Sequence, residues 1–432
     1  MSEEKGLIHT GKIQEFQRKL YDKAKAEPKC RFHSLYDKTY RMDILMEAFR
    51  RVKINGGASG VDNQTIEEIE EKGAIEYLEA LQIELKENRY KPKPVKRVYI
   101  PKKNGKMRPL GIPTVRDRIV QTSFLMILEP IFEADFSQSS YGFRPKKSAH
   151  GAIREIYKYL NWGCEQIYDV DLEKYFDTVE HWKLLRLIAR RVSDGKILKV
   201  INQWLKCGYV EDDQHKQSNR GTPQGGVISP LLANIYLNPI DKAFELEGIG
   251  SISKGSVHII RYADDMIILA QKNLDVGITK LGYYLNRLGL TINEEKTRII
   301  NYAKDKKVEF LGFRFSRVKN RKTKERLILV SPSPDSLANG REKIRKIIHH
   351  KIPLTTPEQV NNVNVFLRGW TNYFRLGNSS KALYGMCQFA NKRIRRLIQR
   401  RKGNNSYGWN RITSDYIYGK LGLYYNYKVQ WL

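Results

Sequence analysis

Apolar residues recur along this chain at two different periods, and each period marks out its own stretches. Steps of three and four govern the first 55 residues, where Phe16, Leu20 and Tyr21, and later Leu45 and Phe49, fall on faces of amphipathic helices. The glycine-dense stretch Gly56-Gly57-Ala58-Ser59-Gly60 interrupts them, and helical spacing resumes over residues 64–88. Residues 99–113 read as a β-hairpin turning at Lys103-Asn104-Gly105-Lys106. Over 166–172 the pattern alternates, which predicts a strand with Asp169 and Asp171 on one face and Tyr168, Val170 and Leu172 on the other. Two apolar runs, 257–261 and 266–270, predict paired strands joined at Tyr262-Ala263-Asp264-Asp265. Past the proline-bearing break Ser331-Pro332-Ser333-Pro334-Asp335, helical spacing returns. Thr356-Pro357-Glu358-Gln359 reads as a helix start with a T-x-x-Q capping box. Behind it Val360, Val363, Leu367, Trp370 and Phe374 form one apolar stripe, and Ile394, Leu397 and Ile398 form a shorter one.

The turn at Asp264-Asp265 carries the first chemical signal. Adjacent carboxylates between apolar strands repel each other, and a bound cation relieves that repulsion. Asp171, at the end of the alternating strand, is a third carboxylate in a similar setting. Hard divalent ions take oxygen ligands and leave room for substrate phosphates. A few carboxylates can hold two such ions for an in-line displacement. Asp177 is read differently, as a helix cap, because Asp177-Thr178-Val179-Glu180 has capping-box spacing.

Charge adds a polyanionic partner. The 432 residues contain 77 Lys+Arg against 47 Asp+Glu, a formal charge of +30. Residues 316–432 hold 24 of the basic and 5 of the acidic residues, so +19 falls in the last part of the chain. Phosphate contacts explain so one-sided an excess. The helix around the second stripe is basic on most of its circumference, through Lys392, Arg393, Arg395, Arg396, Arg400, Arg401 and Lys402. Cys30, Cys164, Cys207 and Cys387 are isolated, which argues against a disulfide scaffold or a zinc site. With no apolar run of membrane-spanning length and no signal core after Met1, a soluble cytoplasmic protein without a membrane partner is expected.

Asp171 with Tyr175-Phe176, then Gly221-Thr222-Pro223-Gln224-Gly225-Gly226 through Ser229-Pro230-Leu231-Leu232-Ala233-Asn234, then Tyr262-Ala263-Asp264-Asp265, resembles the reverse transcriptase of group II introns. Further blocks match in the family's order. These are Tyr99-Ile100-Pro101-Lys102-Lys103 through Arg108-Pro109-Leu110-Gly111-Ile112-Pro113, Ser140-Tyr141-Gly142-Phe143-Arg144-Pro145, Gly289-Leu290 through Glu295-Lys296-Thr297, and Phe310-Leu311-Gly312-Phe313. Leu367-Arg368-Gly369-Trp370-Thr371-Asn372-Tyr373-Phe374 resembles the family's thumb, or maturase, segment. The resemblance covers roughly residues 45 to 400.

It implies an α+β, right-hand polymerase fold: fingers, an antiparallel-sheet palm and an α-helical thumb. The expected domains are 1–55 (helical extension), 56–315 (fingers and palm) and 316–432 (basic thumb/maturase). Asp171, Leu172, Asp264 and Asp265 are the implied metal set for two Mg²⁺ ions, with Mn²⁺ as a substitute. Lys296 is the implied acid for leaving pyrophosphate, although a surface lysine is the commoner case. Lys102 and Arg108 are expected to grip the dNTP triphosphate, with Lys103 an alternative to Lys102. Gln224 would touch the nucleotide sugar, and Tyr175 would exclude a 2′-hydroxyl, with core packing as its competing role. Phe310, Leu311 and Gly312 resemble the primer grip. Arg144 joins the basic helix as a nucleic-acid contact. The implied partners are an RNA template, a DNA primer, dNTPs and a structured intron RNA. Alternatives are a non-intron reverse transcriptase recruited to defence or DNA repair, and an RNA-binding splicing factor alone. No cysteine pairs or nuclease-like cluster follow the thumb, so the family's C-terminal endonuclease is expected to be missing. The aromatic tail, residues 407–432, is expected to pack on the thumb.

Overall fold

A computed structural model of the chain describes residues 2–101, 105, 107–217, 219–222, 225–246, 257–320 and 322–432. Lys102, Lys103 and Gln224 lie outside the described residues. The chain divides into two compact units. The first comprises residues 1–147, 169–268 and 275–298; the second comprises 148–168, 269–274 and 299–432.

Eleven described strands make three sheets. In chain order they are β1 (Val95–Pro101), β2 (Met107–Ile112), β3 (Gln166–Val170), β4 (Tyr209–Glu211), β5 (Gln214–Lys216), β6 (Val257–Tyr262), β7 (Asp265–Ala270), β8 (Arg298–Asn301), β9 (Lys307–Phe310), β10 (Phe313–Lys319) and β11 (Arg326–Pro332). The sheet orders are β2-β1-β4-β5, β6-β7-β3-β8 and β11-β10-β9. The hairpin expected at 99–113 is the antiparallel β1–β2 pair, with Ile100 opposite Arg108. Around these sheets the chain is largely helical, giving the α+β class read from the sequence.

In the first unit the Ser2–Ala26 and Met42–Asn55 helices pack on the Val115–Glu133 helix. The last is almost wholly buried, and its Arg118 guanidinium donates to the carbonyls of Gly56 and Ala58 (3.0 and 2.7 Å). That contact fixes the glycine-dense loop. The predicted helix over 64–88 is two helices, Ile66–Glu71 and Ala74–Lys86, because Gly73 takes a φ of 101° between them.

In the second unit the Thr356–Tyr373 helix carries the predicted stripe inward: Val360, Val363 and Leu367 are fully buried. Its capping box sits one residue earlier than the sequence reading placed it. Thr355 is the cap and Glu358 the third helical residue, so the motif is T-x-x-E with Pro357 in the first turn. Glutamate wins because its carboxylate accepts the Thr355 N–H at the positive end of the helix dipole. Ser333 caps the Pro334–Ile347 helix, so the proline-bearing break is a strand-to-helix junction. The tail is laid on this unit by main-chain contacts: Asn364 pairs with Gly422 O and Tyr424 N (both 2.8 Å), and Gln430 N donates to Arg375 O. Within the tail Ile417 and Leu423 are buried, while Trp409 and Trp431 keep more than half their surface exposed.

Candidate active site

The Asp264-Asp265 turn is held from below by a buried charge. β6 ends at Tyr262 and β7 begins at Asp265, leaving Ala263 and Asp264 as a two-residue link. Ala263 takes the left-handed conformation (φ 58°) that such links require. Arg261, one residue before the link's flank, is wholly buried and ion-paired with the equally buried Asp241 at 2.5 Å. The same guanidinium donates to Asn234 Oδ1 (2.9 Å) and to the Ala263 carbonyl (2.8 Å). Asn234 and Asp241, two turns apart on the Ser229–Leu246 helix, thus address the turn through one arginine.

The Ser140–Pro145 motif braces the turn from the side. Tyr141 N donates to Arg261 O (2.8 Å), Arg261 N to Ser139 O (2.9 Å), and Asn234 Nδ2 to Gly142 O (2.9 Å). Gly142 lies so close to the Ala263 amide that no Cβ fits between them. Arg144 is buried and ion-paired with Glu133 (2.7 Å), and also donates to the Ser137 and Ser140 carbonyls. The structure therefore places Arg144 inside the brace, away from the nucleic-acid role that the resemblance implied. Sequence reasoning missed Arg261, Asn234 and Asp241. The available signal was a lone arginine within the apolar run 257–261.

Asp171 follows β3 directly and is tied to the 290–297 segment. Its amide donates to Thr297 Oγ1 (3.3 Å), and its carbonyl accepts from Asn293 N (2.8 Å). Leu172 bridges to Ile292 with its side chain buried, so only its main-chain oxygen can serve a cation. Lys296 Nζ stands 2.9 Å from Asp171 Oδ2. The two share a broad open cavity with Asp264, Arg108, Tyr175 and Phe176, all within the first unit.

Electrostatics show the strain of this gathering. Crowding by surrounding atoms, then the charges of Asp264, Asp171 and Asp169, push the Asp265 carboxyl up to about 6, with Lys296 opposing. Asp265 keeps an exposed edge, so water screens part of this, and the direction is what matters. Burial likewise raises Asp169 to about 6, against the pull of Arg298. Among the described residues no three acidic, histidine or cysteine side chains are already drawn together as a metal ion would require. Lys296 is the group that pairs with Asp171 in this arrangement. A donor set made only of oxygens, from Asp171, Asp264, Asp265 and the Leu172 main chain, fits a hard divalent cation.

Two other expectations change in detail. Tyr175, not its neighbour Phe176, is the buried ring; its hydroxyl donates to Ala233 O (2.8 Å). Both rings line the cavity, 5.2 Å apart. The Asp177–Glu180 capping box does not form. Asp177 lies inside the four-residue Tyr175–Thr178 helix, and Glu180 turns to Lys183 and Trp182 instead.

Within the second unit Phe310 ends β9 and Leu311-Gly312 is the tight link to β10, with φ 49° and 76°. Tyr373 Oη donates to Leu311 O (3.0 Å) and Ser336 Oγ to Gly312 O (2.9 Å), which fixes the loop. On the Ser380–Arg401 helix the basic residues separate into two kinds. Arg395 is buried against Asn391, Ile412 O and the Trp409 ring. Lys392 and Arg401 are exposed; Arg393, Arg396 and Arg400 are intermediate.

Parts of this chain match known protein families and relatives. Residues 100–315 match the family described as reverse transcriptase (RNA-dependent DNA polymerase). Residues 337–416 match the maturase-specific domain of group II introns. Protein YkfC of Escherichia coli K12 is 36% identical over 357 residues, covering 74% of this chain and 92% of YkfC. The group II intron-encoded protein LtrA of Lactococcus lactis is 32% identical over 337 residues, 76% of this chain and 54% of LtrA. The putative COX1/OXI3 intron 1 protein of Saccharomyces cerevisiae is 30% identical over 422 residues, 79% and 50% respectively. The chain belongs to the reverse transcriptase family. It is an RNA-directed DNA polymerase of the group II intron type, with a maturase domain after the polymerase. It spans about half the length of the two intron-encoded relatives. The family uses divalent metal ions, and no helix among the described residues is long and apolar enough to cross a membrane.

Proposed function

We propose that Asp171, Asp264 and Asp265, with the main-chain oxygen of Leu172, hold two Mg²⁺ ions against a primer end and an incoming dNTP. The observation that carries this reading is the open cavity that Asp171 and Asp264 line together with Arg108, Tyr175 and Lys296, with Asp265 next to Asp264 and its carboxyl raised by burial and then by the charges of Asp264, Asp171 and Asp169. Bound Mg²⁺ would supply positive charge for deprotonating the primer hydroxyl and for stabilising the leaving diphosphate. The buried Arg261–Asp241 pair holds the turn that presents both carboxylates. Arg108 would orient the triphosphate with a planar fork of donors. Lys296, paired with Asp171, would be the group to pass a proton to the leaving diphosphate. Tyr175 would floor the sugar site. Functionally we assign residues 1–55 to an extension, 56–315 to fingers and palm, and 316–432 to the thumb.

We further propose that the 316–432 region binds a structured intron RNA as a ribonucleoprotein and serves splicing and mobility. Its concentrated positive charge supports this. Primer extension on an RNA template with Mg²⁺ tests the first part. Asp264→Asn should lower the rate by roughly 10³-fold or more, the scale of removing a principal transition-state electrostatic contact. Retained activity would refute the metal assignment. Sequencing RNA copurified from the host tests the second part; absence of any intron RNA would refute it.

A further inference from the structure

A knot of positive charge with no matching carboxylate lies where the residues after the Pro334–Ile347 helix meet the Ser380–Arg401 helix, all within the second unit. Arg393, Arg396 and Arg400 line a small recess there with His349 and His350. Among the described residues none of these three arginines is ion-paired. The nearby Glu342 is taken by Arg345 at 3.1 Å.

The donors are arranged for an acceptor that the chain does not supply. Arg393 spends one terminal nitrogen on Ile348 O (3.1 Å), but its Nε is buried with no hydrogen-bond partner. Arg396 Nε is buried and unpartnered too, its guanidinium 5.8 Å from the Tyr407 ring centre. Leaving a buried N–H unsatisfied is costly, and stacking guanidinium groups without a counter-charge adds to that cost. Burial and the charges of Arg396, Arg345 and Arg400 lower the Arg393 pKa, which is the electrostatic trace of that crowding.

The two imidazoles complete the set. Their rings lie 4.5 Å apart. His349 Nδ1 accepts the Lys351 amide (3.3 Å), and His350 Nδ1 faces Arg400 Nη1 (3.5 Å). A neutral ring that accepts at Nδ1 carries its proton on Nε2 and can donate there. Burial, then the charges of His349, Arg400, Lys351 and Arg393, keeps His350 neutral more readily than a free histidine.

We propose that this recess is a phosphate-binding site that grips a backbone phosphate of a folded RNA through Arg393, Arg396, Arg400 and the imidazole donors of His349 and His350. A phosphodiester offers several strong acceptors and a full negative charge, which answers both the orphaned N–H groups and the mutual repulsion. Ile348 and Leu397 also line the recess, which has room for about one water molecule, so a phosphate would seat its oxygens at the mouth and leave the base outside. This inference rests on the reading of residues 316–432 as an RNA-binding region. It narrows a basic helix face to one directed site, and it excludes Arg395, whose donors are already used.

The test uses the full chain and a fluorescent hairpin RNA, titrated across a series of NaCl concentrations. Arg396→Lys keeps the charge and removes the Nε donor; it should weaken binding by about tenfold, as should Arg393→Lys. Lys392→Gln, on an exposed neighbour, should mainly flatten the salt dependence by about one counterion. Wild-type affinity in both lysine variants would overturn the site while leaving RNA binding by the region intact. Failure of the wild-type chain to bind the RNA would overturn the broader reading itself. Competition by inorganic phosphate distinguishes the ligand's source. Displacement of RNA only at millimolar phosphate supports a backbone phosphate. Micromolar phosphate binding, with RNA affinity unchanged in Arg396→Lys, would assign the recess to a small free anion and sink the proposal. If the arginine variants melt early, the His349→Ala/His350→Ala double variant reads the same prediction from the other wall of the recess.

Discussion

Lys296 Nζ lies 2.9 Å from Asp171 Oδ2, an ion pair between the two halves of the cavity's chemistry. Asp171 is the carboxylate proposed to meet a metal ion, and Lys296 is the proposed proton donor. Both are partly exposed, so the pair contributes little to stability. Its consequence is competitive: Lys296 and a cation held by Asp171 would contend for the same carboxylate. Lys296→Ala should therefore reach half-maximal activity at a lower Mg²⁺ concentration. Its kcat should nevertheless fall by about 10²-fold, the lower end of what a positioned acid contributes. A Mg²⁺ titration of primer extension reads both, and an unchanged kcat would remove the acid role.

The Arg261–Asp241 pair predicts a coupled loss of stability and activity. Asp241→Ala strands a wholly buried guanidinium and should cost about 3–5 kcal/mol in urea unfolding. Because that guanidinium also holds Ala263 O, extension activity should drop even where the variant remains folded. Full activity in the folded variant would show that the turn keeps its shape without the pair.

Tyr175 predicts a change in sugar selection. Tyr175→Val should improve ribonucleotide use relative to deoxynucleotide by about 10–100-fold, the worth of steric discrimination in a shaped pocket. Tyr175→Phe loses only the bond to Ala233 O and should retain selectivity. Equal selectivity in all three proteins would confine Tyr175 to core packing.

Glu129 predicts a pH dependence remote from the cavity. Burial, then the charge of Glu133, pushes its carboxyl up to about 7 in the fold, with Arg51 opposing. The folded state therefore prefers the protonated form. No penalty exists below the ordinary carboxylate pKa near 4.5; it grows as pH rises toward 7 and is constant above. Glu129→Gln should match wild type at pH 4 and exceed it by about 1–3 kcal/mol at pH 8. Parallel stability curves for the two proteins would disprove the assignment.

How far the sequence was legible follows from the range of each interaction. Strand alternation and the Tyr262–Asp265 link were readable because neighbours a few residues apart create them. The stripe on the Thr356–Tyr373 helix was readable for the same reason. The capping reading slipped by one residue at Thr355, since two adjacent threonines compete and only the backbone geometry selects one. It failed at Asp177, which lies inside the short Tyr175–Thr178 helix instead of ahead of one.

By itself, the sequence determined the elements, the ordered motifs, the polymerase class and the concentration of charge after residue 316. Only the tertiary structure decided which charges face inward. Arg144, Arg261 and Arg395 look like any other basic residues in a string, yet each is buried by partners far along the chain or across a turn. Arg393 and Arg396 look the same and are left with donors unanswered. Burial and partnering depend on distances through space, and a linear order of residues does not carry them.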